Sequence, residues 1–203
     1  MNENYFKLGQ KQIENMGGKK KLLLHSCCAP CSSHVISYLT NFFDITILYY
    51  NPNISPKDEY DKRKKEQIRL IKEIDKVNNI DIIDCDYDND LYEEKIKGLE
   101  NEPERGSRCT ICFELRLSKT AKYAKELGYD YFCSTLTVSP YKNSKLLNEI
   151  GKKMEELYGV TWLYSDFKKE NGYKHSIELS KKYNLYRQDY CGCKYSVRNK
   201  LQD

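Results

Sequence analysis

The stretch KKLLLHSCCAPC, Lys20 to Cys31, decides the reading of the fold. Two lysines lead into Leu22, Leu23 and Leu24 and then His25. A short continuous apolar run of this kind reads as a strand buried on both faces, as in a parallel sheet. The cysteines Cys27, Cys28 and Cys31 follow at once, so they lie just beyond the strand's carboxyl end, and a helix is expected over residues 31–42.

Outward from this stretch the pattern repeats. Asp44 to Tyr50 (DITILYY) reads as a second strand and NPNISP after it as a loop. Residues 56–78 read as a long helix, with Leu70, Ile74 and Val77 at i, i+4 and i+7. Further strands are expected over Ile80 to Cys85, Tyr131 to Val138 and Val160 to Tyr164. Helices are expected over Cys109 to Leu127, ended by Gly128, and over Asn143 to Tyr158. Gly98 to Arg108 reads as a surface loop. Such alternation predicts an α/β fold, a parallel doubly wound sheet with helices on both faces. Its ligands bind outside the carboxyl ends of the strands, at the switch point. The cysteine loop and SPYKN (139–143) both occupy such ends. One domain is expected over 1–203: a helical extension at 1–19, the sheet core at 20–165 and a helical C-terminal lid at 166–203.

Composition narrows the function. A chain of 203 residues buries about 70% of its unfolded surface and needs no disulfides to fold. Its 9 cysteines, an odd count, cannot all pair internally. MNENYFKLGQKQIENMGG lacks the apolar segment of an export signal, and no run reaches the ~20 apolar residues that span a bilayer. The expected location is the reducing cytoplasm, where grouped cysteines bind metal or do chemistry. A net charge of +4 permits RNA binding without demanding it.

The cysteines form three groups: Cys27, Cys28 and Cys31; Cys109 and Cys112; Cys191 and Cys193. Four thiolates can close around an iron–sulfur cluster or a zinc ion. Cys109 and Cys112 open a helix, where the dipole favours thiolates, and alone they suit zinc as well as iron–sulfur. Adjacent cysteines tend to point apart, so Cys27 and Cys28 suit a large cluster or two metals better than one zinc, with a redox thiol loop as competitor. Cys191 and Cys193, one residue apart, would close a small, strained and easily reduced disulfide; they read as a redox pair rather than extra ligands. Cys85 and Cys133 read as buried small hydrophobes.

Other candidates are open between function and framework. His25 could transfer a proton or be satisfied by backbone. His34 carries no expectation, and His175 is expected at the surface. Asn51, Asn53, Glu59, Tyr60 and Arg63 suit substrate recognition or proton donation, or merely a turn and a helix start. Ser139, Tyr141, Lys142 and Asn143 open a helix whose N-terminus could hold a phosphate. KDEYDKRKKE reads as a solvated helix face. Arg187 and Gln188 flank the CGC pair.

The segments HSCCAPCSSH, YNPNISPKDEYDKR, RCTICFELRL, STLTVSPYKN and YRQDYCGCKYS, in this order over about residues 20 to 198, resemble the motif series of the epoxyqueuosine reductase (QueH) family. The resemblance implies two-electron reductive removal of the epoxide oxygen of epoxyqueuosine, leaving queuosine at the wobble position of tRNA. It implies a fold similar to the adenine nucleotide α-hydrolase-like (HUP) group. It implies a 4Fe–4S cluster, with a separate mononuclear iron in some relatives. Cys27, Cys28, Cys109 and Cys112 match the cluster ligands, and Cys191 and Cys193 the redox-active pair. Cys31 stands where some relatives carry an aspartate linked to the extra iron; a thiolate there could also bind iron. Tyr60, His25 and Glu59 are the proton-donor candidates. Asn51, Arg63, Ser139, Lys142 and Arg187 are expected to meet substrate or tRNA. The partners are tRNA carrying epoxyqueuosine and an unnamed electron donor, with no membrane. Three other readings compete. A PP-loop-like ATP-dependent tRNA-modifying enzyme would need a glycine-rich phosphate loop after the first strand, where this chain has HSCCAPC without glycine. The second is a zinc-binding protein without catalysis, and the third a thiol–disulfide oxidoreductase, which would keep its activity without any metal.

Overall fold

In a computed structural model describing residues 3–196, the three leucines form the middle of the sheet. Strand β1 (Lys20–His25) lies between β2 (Phe43–Tyr49) and β4 (Tyr131–Ser134). β3 (Asp81–Asp84) and β5 (Thr161–Trp162) take the edges, giving the parallel order β3-β2-β1-β4-β5. Leu22 and Leu24 face Ile45 and Ile47 across one ladder, and Leu24 faces Cys133 across the other. Layers on both sides leave these leucines without exposed surface, which is why the run is continuous rather than alternating.

The helices are α1 (Tyr5–Asn15), α2 (Ala29–Leu39), α3 (Lys57–Glu73), α4 (Asn89–Lys95), α5 (Ser107–Glu126), α6 (Ser144–Tyr158) and α7 (Gly172–Lys182). α2 packs against α3 and α7, whereas α5 packs against α6 and onto β1 and β4. Right-handed crossovers to β2 and β3 on one side, and to β4 and β5 on the other, put these two sets on opposite faces. The winding therefore reverses between β1 and β4, and a doubly wound sheet binds its ligands at that crevice. No helix among the described residues is long and apolar enough to cross a membrane.

Several boundaries differ from expectation for local reasons. α2 begins at Ala29, not Cys31, because Pro30 fits a first turn and Cys28 supplies an extended N-cap. α3 stops at Glu73: Ile74 is already extended, and Val77 is 59% exposed rather than on the buried face. β4 ends at Ser134, whose hydroxyl accepts the Leu136 N–H and starts a 3-10 turn over Thr135–Val138. β5 is two residues long. Asn148 of α6 holds it, accepting from Trp162 Nε1 and the Ser165 N–H and donating to the Ser144 and Ser165 carbonyls. Gly128 follows α5 at φ +71°, as a helix-ending glycine should. α1 hydrogen-bonds to the β5 edge through Gln12, which donates to the Trp162 carbonyl and accepts the Tyr164 N–H. Of the expected lid, residues 197–203 lie outside the described residues.

Candidate active site

The loop from β1 to α2 is pinned from several sides. Asn51 Nδ2 donates to the Ser26 carbonyl at 2.8 Å, Ser26 Oγ to Gln67 Oε1 at 2.7 Å, and the Cys27 N–H to Thr135 Oγ1 at 3.3 Å. Cys27 Sγ and Cys28 Sγ sit 3.7 Å apart, and with Cys31 Sγ all three lie within 4.8 Å of one another. Adjacent cysteines thus converge here, against the expectation that they point apart. Cys28 caps the helix in an extended conformation, and the first turn of α2 carries Cys31 back over it. The Cys27 and Cys31 thiols donate to Cys28 and hold it well below the usual thiol range, with the Gln188 amide adding to the effect. Cys27, sharing its proton with Cys28, and Cys31, sharing its proton with Cys27 first and Cys28 second, are pushed up. A helix N-terminus favours the negative charge so placed.

The second group lies at the start of α5. The Arg105 N–H donates to Cys109 Sγ at 3.3 Å. Cys112 is buried against Tyr92, Ile96 and Cys193, and burial pushes its thiol up to about 12. These two sulfurs do not join the trio within its 4.8 Å. One turn on, Arg116 is buried, its Nε donating to the Cys112 carbonyl at 3.2 Å and its Nη1 to Asn51 Oδ1 at 3.5 Å. Arg116 had no place among the expected site residues, although its spacing of four from Cys112 puts both on one helix face.

The third group reaches the same place from the C-terminal side. Gly192 turns at φ +117°, and a Cβ there would meet Arg63 Nη1 and Ile54 Cγ1 at 2.9 Å, so the turn requires glycine. The Ser55 N–H donates to the Gly192 carbonyl at 2.9 Å and Arg63 Nη1 to the Cys191 carbonyl at 3.2 Å. Cys193 points into the Cys112 cluster, whereas Cys191 faces a cavity with its Sγ 2.9 Å from Lys142 Nζ. Both cysteines are thiols. Lys142 also pairs with Glu104 at 3.3 Å. Burial pulls the ammonium down, but Cys191 and Glu104 outweigh it and Lys142 is held above its usual range.

The cavity, about 200 Å³, has walls from all these elements: Cys27, Cys31, Cys191, Arg63, Arg116 and Lys142. Ser139, Tyr141, Tyr173, Arg187 and Gln188 complete its rim. Arg63 Nη2, Arg116 Nη2 and Gln188 Oε1 are buried and unpartnered among the described residues, two donors and an acceptor. Arg187 donates to Ser180 Oγ at 3.1 Å.

Other candidates take different places. Tyr60 packs between Tyr49 and Tyr87, its hydroxyl donating to the Cys85 carbonyl at 3.0 Å and its phenol pushed up by burial; it does not line the cavity. Asn51 is a buried bracket between β1 and α5, and Asn53 is also buried. Glu59 pairs with Arg63 at 2.7 Å and accepts from the Tyr186 hydroxyl at 3.2 Å, tying the C-terminal segment to α3. His25 is fully buried between Ser134 Oγ (2.9 Å) and the Tyr50 carbonyl (3.1 Å), and desolvation lowers its pKa to about 3. It is a neutral strut across three strands rather than a proton donor at working pH. His175 is not a free surface group: its Nδ1 lies 3.0 Å from His34 Nδ1, and burial lowers His34 to about 4. Cys85 and Cys133 belong to the apolar core, where burial pushes them up to about 11 and about 12.

Comparison with known proteins adds an independent observation. A family model described as epoxyqueuosine reductase QueH matches residues 22–199. A curated protein of Streptococcus pyogenes serotype M1, named epoxyqueuosine reductase QueH, is 44% identical over 96% of this chain and 78% of its own length. One of the same name from Staphylococcus epidermidis is 46% identical over 96% of this chain and 84% of its own. Another, from Thermotoga maritima, is 35% identical over 87% of this chain and 90% of its own.

Proposed function

The chain belongs to the QueH family of epoxyqueuosine reductases, and from that premise we propose that it removes the epoxide oxygen of epoxyqueuosine at the wobble position of tRNA, leaving queuosine, with a thiolate-held iron–sulfur cluster as its redox centre. It is an oxidoreductase of queuosine biosynthesis. The observation that carries the reading is the convergence of Cys27, Cys28 and Cys31 at the β1/β4 switch point, on the wall of the cavity.

The three converged donors suit a thiolate-held metal, with Cys109 and Cys112 outside their 4.8 Å grouping. The set is all sulfur, one thiol of the trio is already disposed to ionise, and a buried guanidinium stands behind it. In this reading Cys27, Cys28, Cys109 and Cys112 hold a 4Fe–4S cluster, and Cys31 serves an additional iron. Bound there, such a centre supplies electrons singly, and the reduction consumes two of them with about two protons.

The chain's own residues bind and orient the substrate. The cavity suits a cyclopentane ring and leaves the base at the mouth, where Tyr141 and Tyr173 offer faces for stacking. The unpartnered Arg63 and Arg116 nitrogens and Gln188 Oε1 match ring oxygens and hydroxyls, since a buried polar atom gains most from a substrate that satisfies it. The C-terminal segment across the cavity limits water. Lys142 Nζ, held protonated, donates to Cys191 Sγ at 2.9 Å and sets a fixed positive charge in the cavity wall. Cys191 and Cys193 act as the redox pair that exchanges electrons with the donor. Ser139, Arg187 and surface lysines hold tRNA phosphates, so binding weakens steeply with salt. The reaction belongs in the cytoplasm, with its tRNA.

The test is anaerobic reconstitution with iron and sulfide, chemical reduction, and mass spectrometry of nucleosides from epoxyqueuosine-bearing tRNA. Conversion to queuosine is expected. Persistence of the epoxide with an intact, reduced centre would contradict the proposal.

A further inference from the structure

Arg116 is a cation in an unusual position. Its side chain is 2% exposed, and among the described residues no carboxylate pairs with it. Its two hydrogen bonds go to uncharged acceptors, the Cys112 carbonyl and Asn51 Oδ1, and Nη2 is unpartnered. Arg63, by contrast, has Glu59 at 2.7 Å; Arg108, away from the cavity, spreads its charge over three carbonyls and the Tyr195 ring, whereas Arg116 lines the cavity with only the Phe113 ring beside its two acceptors.

Burying a charge costs several kcal/mol unless an opposite charge compensates it, and a guanidinium cannot escape by losing its proton. Arg116 stands between the two separate stretches read above as cluster ligands, lining the cavity with Cys27 of the β1 loop and bonding the backbone of Cys112 at the start of α5.

We propose that Arg116 is a positioning residue: its guanidinium is the built-in counter-charge of the thiolate-held iron–sulfur centre, and it favours the more negative, reduced state of that centre. The inference rests on the iron–sulfur reading above. Reduction adds one negative charge at the centre, and a fixed cation in a low-dielectric setting stabilises the product more than the reactant. Lysine at this position keeps the charge but loses the planar fork; glutamine keeps hydrogen bonding but loses the charge.

The test is a redox titration of reconstituted protein, followed by electron paramagnetic resonance, with iron content measured in parallel. Arg116→Gln is expected to disfavour the one-electron reduction about tenfold, a fall of about 59 mV in midpoint. Arg116→Lys is expected to stay within about threefold of the parent. An Arg116→Gln midpoint equal to the parent's, at equal iron content, overturns the proposal. Should Arg116→Gln fail to hold iron, the lysine variant decides: iron held by Lys supports the counter-charge, and iron lost from both overturns it. A parent protein that takes up no iron overturns the cluster reading itself, which separates that failure from failure of the role given to Arg116.

Discussion

Gly192→Ala tests how the C-terminal cysteine pair is positioned. At φ +117° an alanine leaves the regions open to L-residues, at a cost of about 1–3 kcal/mol. The added methyl also meets Arg63 Nη1 and Ile54 Cγ1 at 2.9 Å, closer than carbon normally comes. Two backbone acceptors tie the turn down, the Gly192 carbonyl to Ser55 and the Cys191 carbonyl to Arg63. The strain is therefore relieved by lifting the turn rather than by unfolding the sheet. A bias of about 1–3 kcal/mol raises the lifted population about 5- to 150-fold. Cys193, 6% exposed in the closed turn, becomes reachable in proportion. The assay is the alkylation rate of each cysteine in reduced protein, read by mass spectrometry, with buried Cys133 as the internal control. A Cys193 rate equal to the parent's, together with an unmoved melting temperature, would refute the argument.

The buried histidines set a pH slope. Burial holds His25 neutral to about 3 and His34 to about 4, whereas the unfolded groups titrate near 6.5. Their contribution is complete above about pH 6.5 and is lost as pH falls, because the unfolded chain takes up protons that the native one refuses. Urea unfolding should lose about 1.4 kcal/mol per pH unit for each histidine between pH 6 and 4, and His25→Asn should halve the slope; a flat profile contradicts this. Asn148→Ala leaves Trp162 Nε1, the Ser165 N–H and two carbonyls without their partner. A loss of about 3 kcal/mol is expected, a fall in melting temperature of about 6–12 °C, and a shift under 2 °C would count against it. Cys85→Ala and Cys133→Ala should keep iron binding while lowering stability by about 1 kcal/mol, whereas Cys28→Ser should lose iron; equal retention in all three contradicts the roles assigned.

Much of the fold was legible because it rests on local pattern. Leu22 to Leu24 could only be a strand covered on both faces, and Asn143 caps α6 where expected. What escaped depended on contacts distant in sequence or on backbone geometry. Val77 keeps the helical period of Leu70 and Ile74, yet its N–H donates to Thr40 Oγ1 in a turn that no periodicity predicts. β4 was read too long because threonine and valine favour strands, while the Ser134 hydroxyl diverts the chain into a 3-10 turn. In the site, the grouping of cysteines was visible, but the convergence of Cys27 and Cys28 depends on the extended cap at Cys28. Tyr60 had the right neighbours in sequence and the wrong helical phase, turning into a tyrosine cluster. The His34–His175 contact joins residues 141 apart. Arg116 lay in plain view one turn after Cys112, but its isolation from carboxylates is a property of the packed interior.

The account stands on iron being gripped by sulfur from both the β1 loop and the start of α5. Anaerobic reconstitution of the parent protein and of serine variants at Cys27, Cys28, Cys109 and Cys112, followed by iron and sulfide analysis with visible absorption, tests it most directly. A brown parent with about four irons and four sulfides per chain in the cluster, and loss of colour in variants of either stretch, is the expected result. A colourless parent, or a parent whose colour survives substitution at both Cys109 and Cys112, would contradict it.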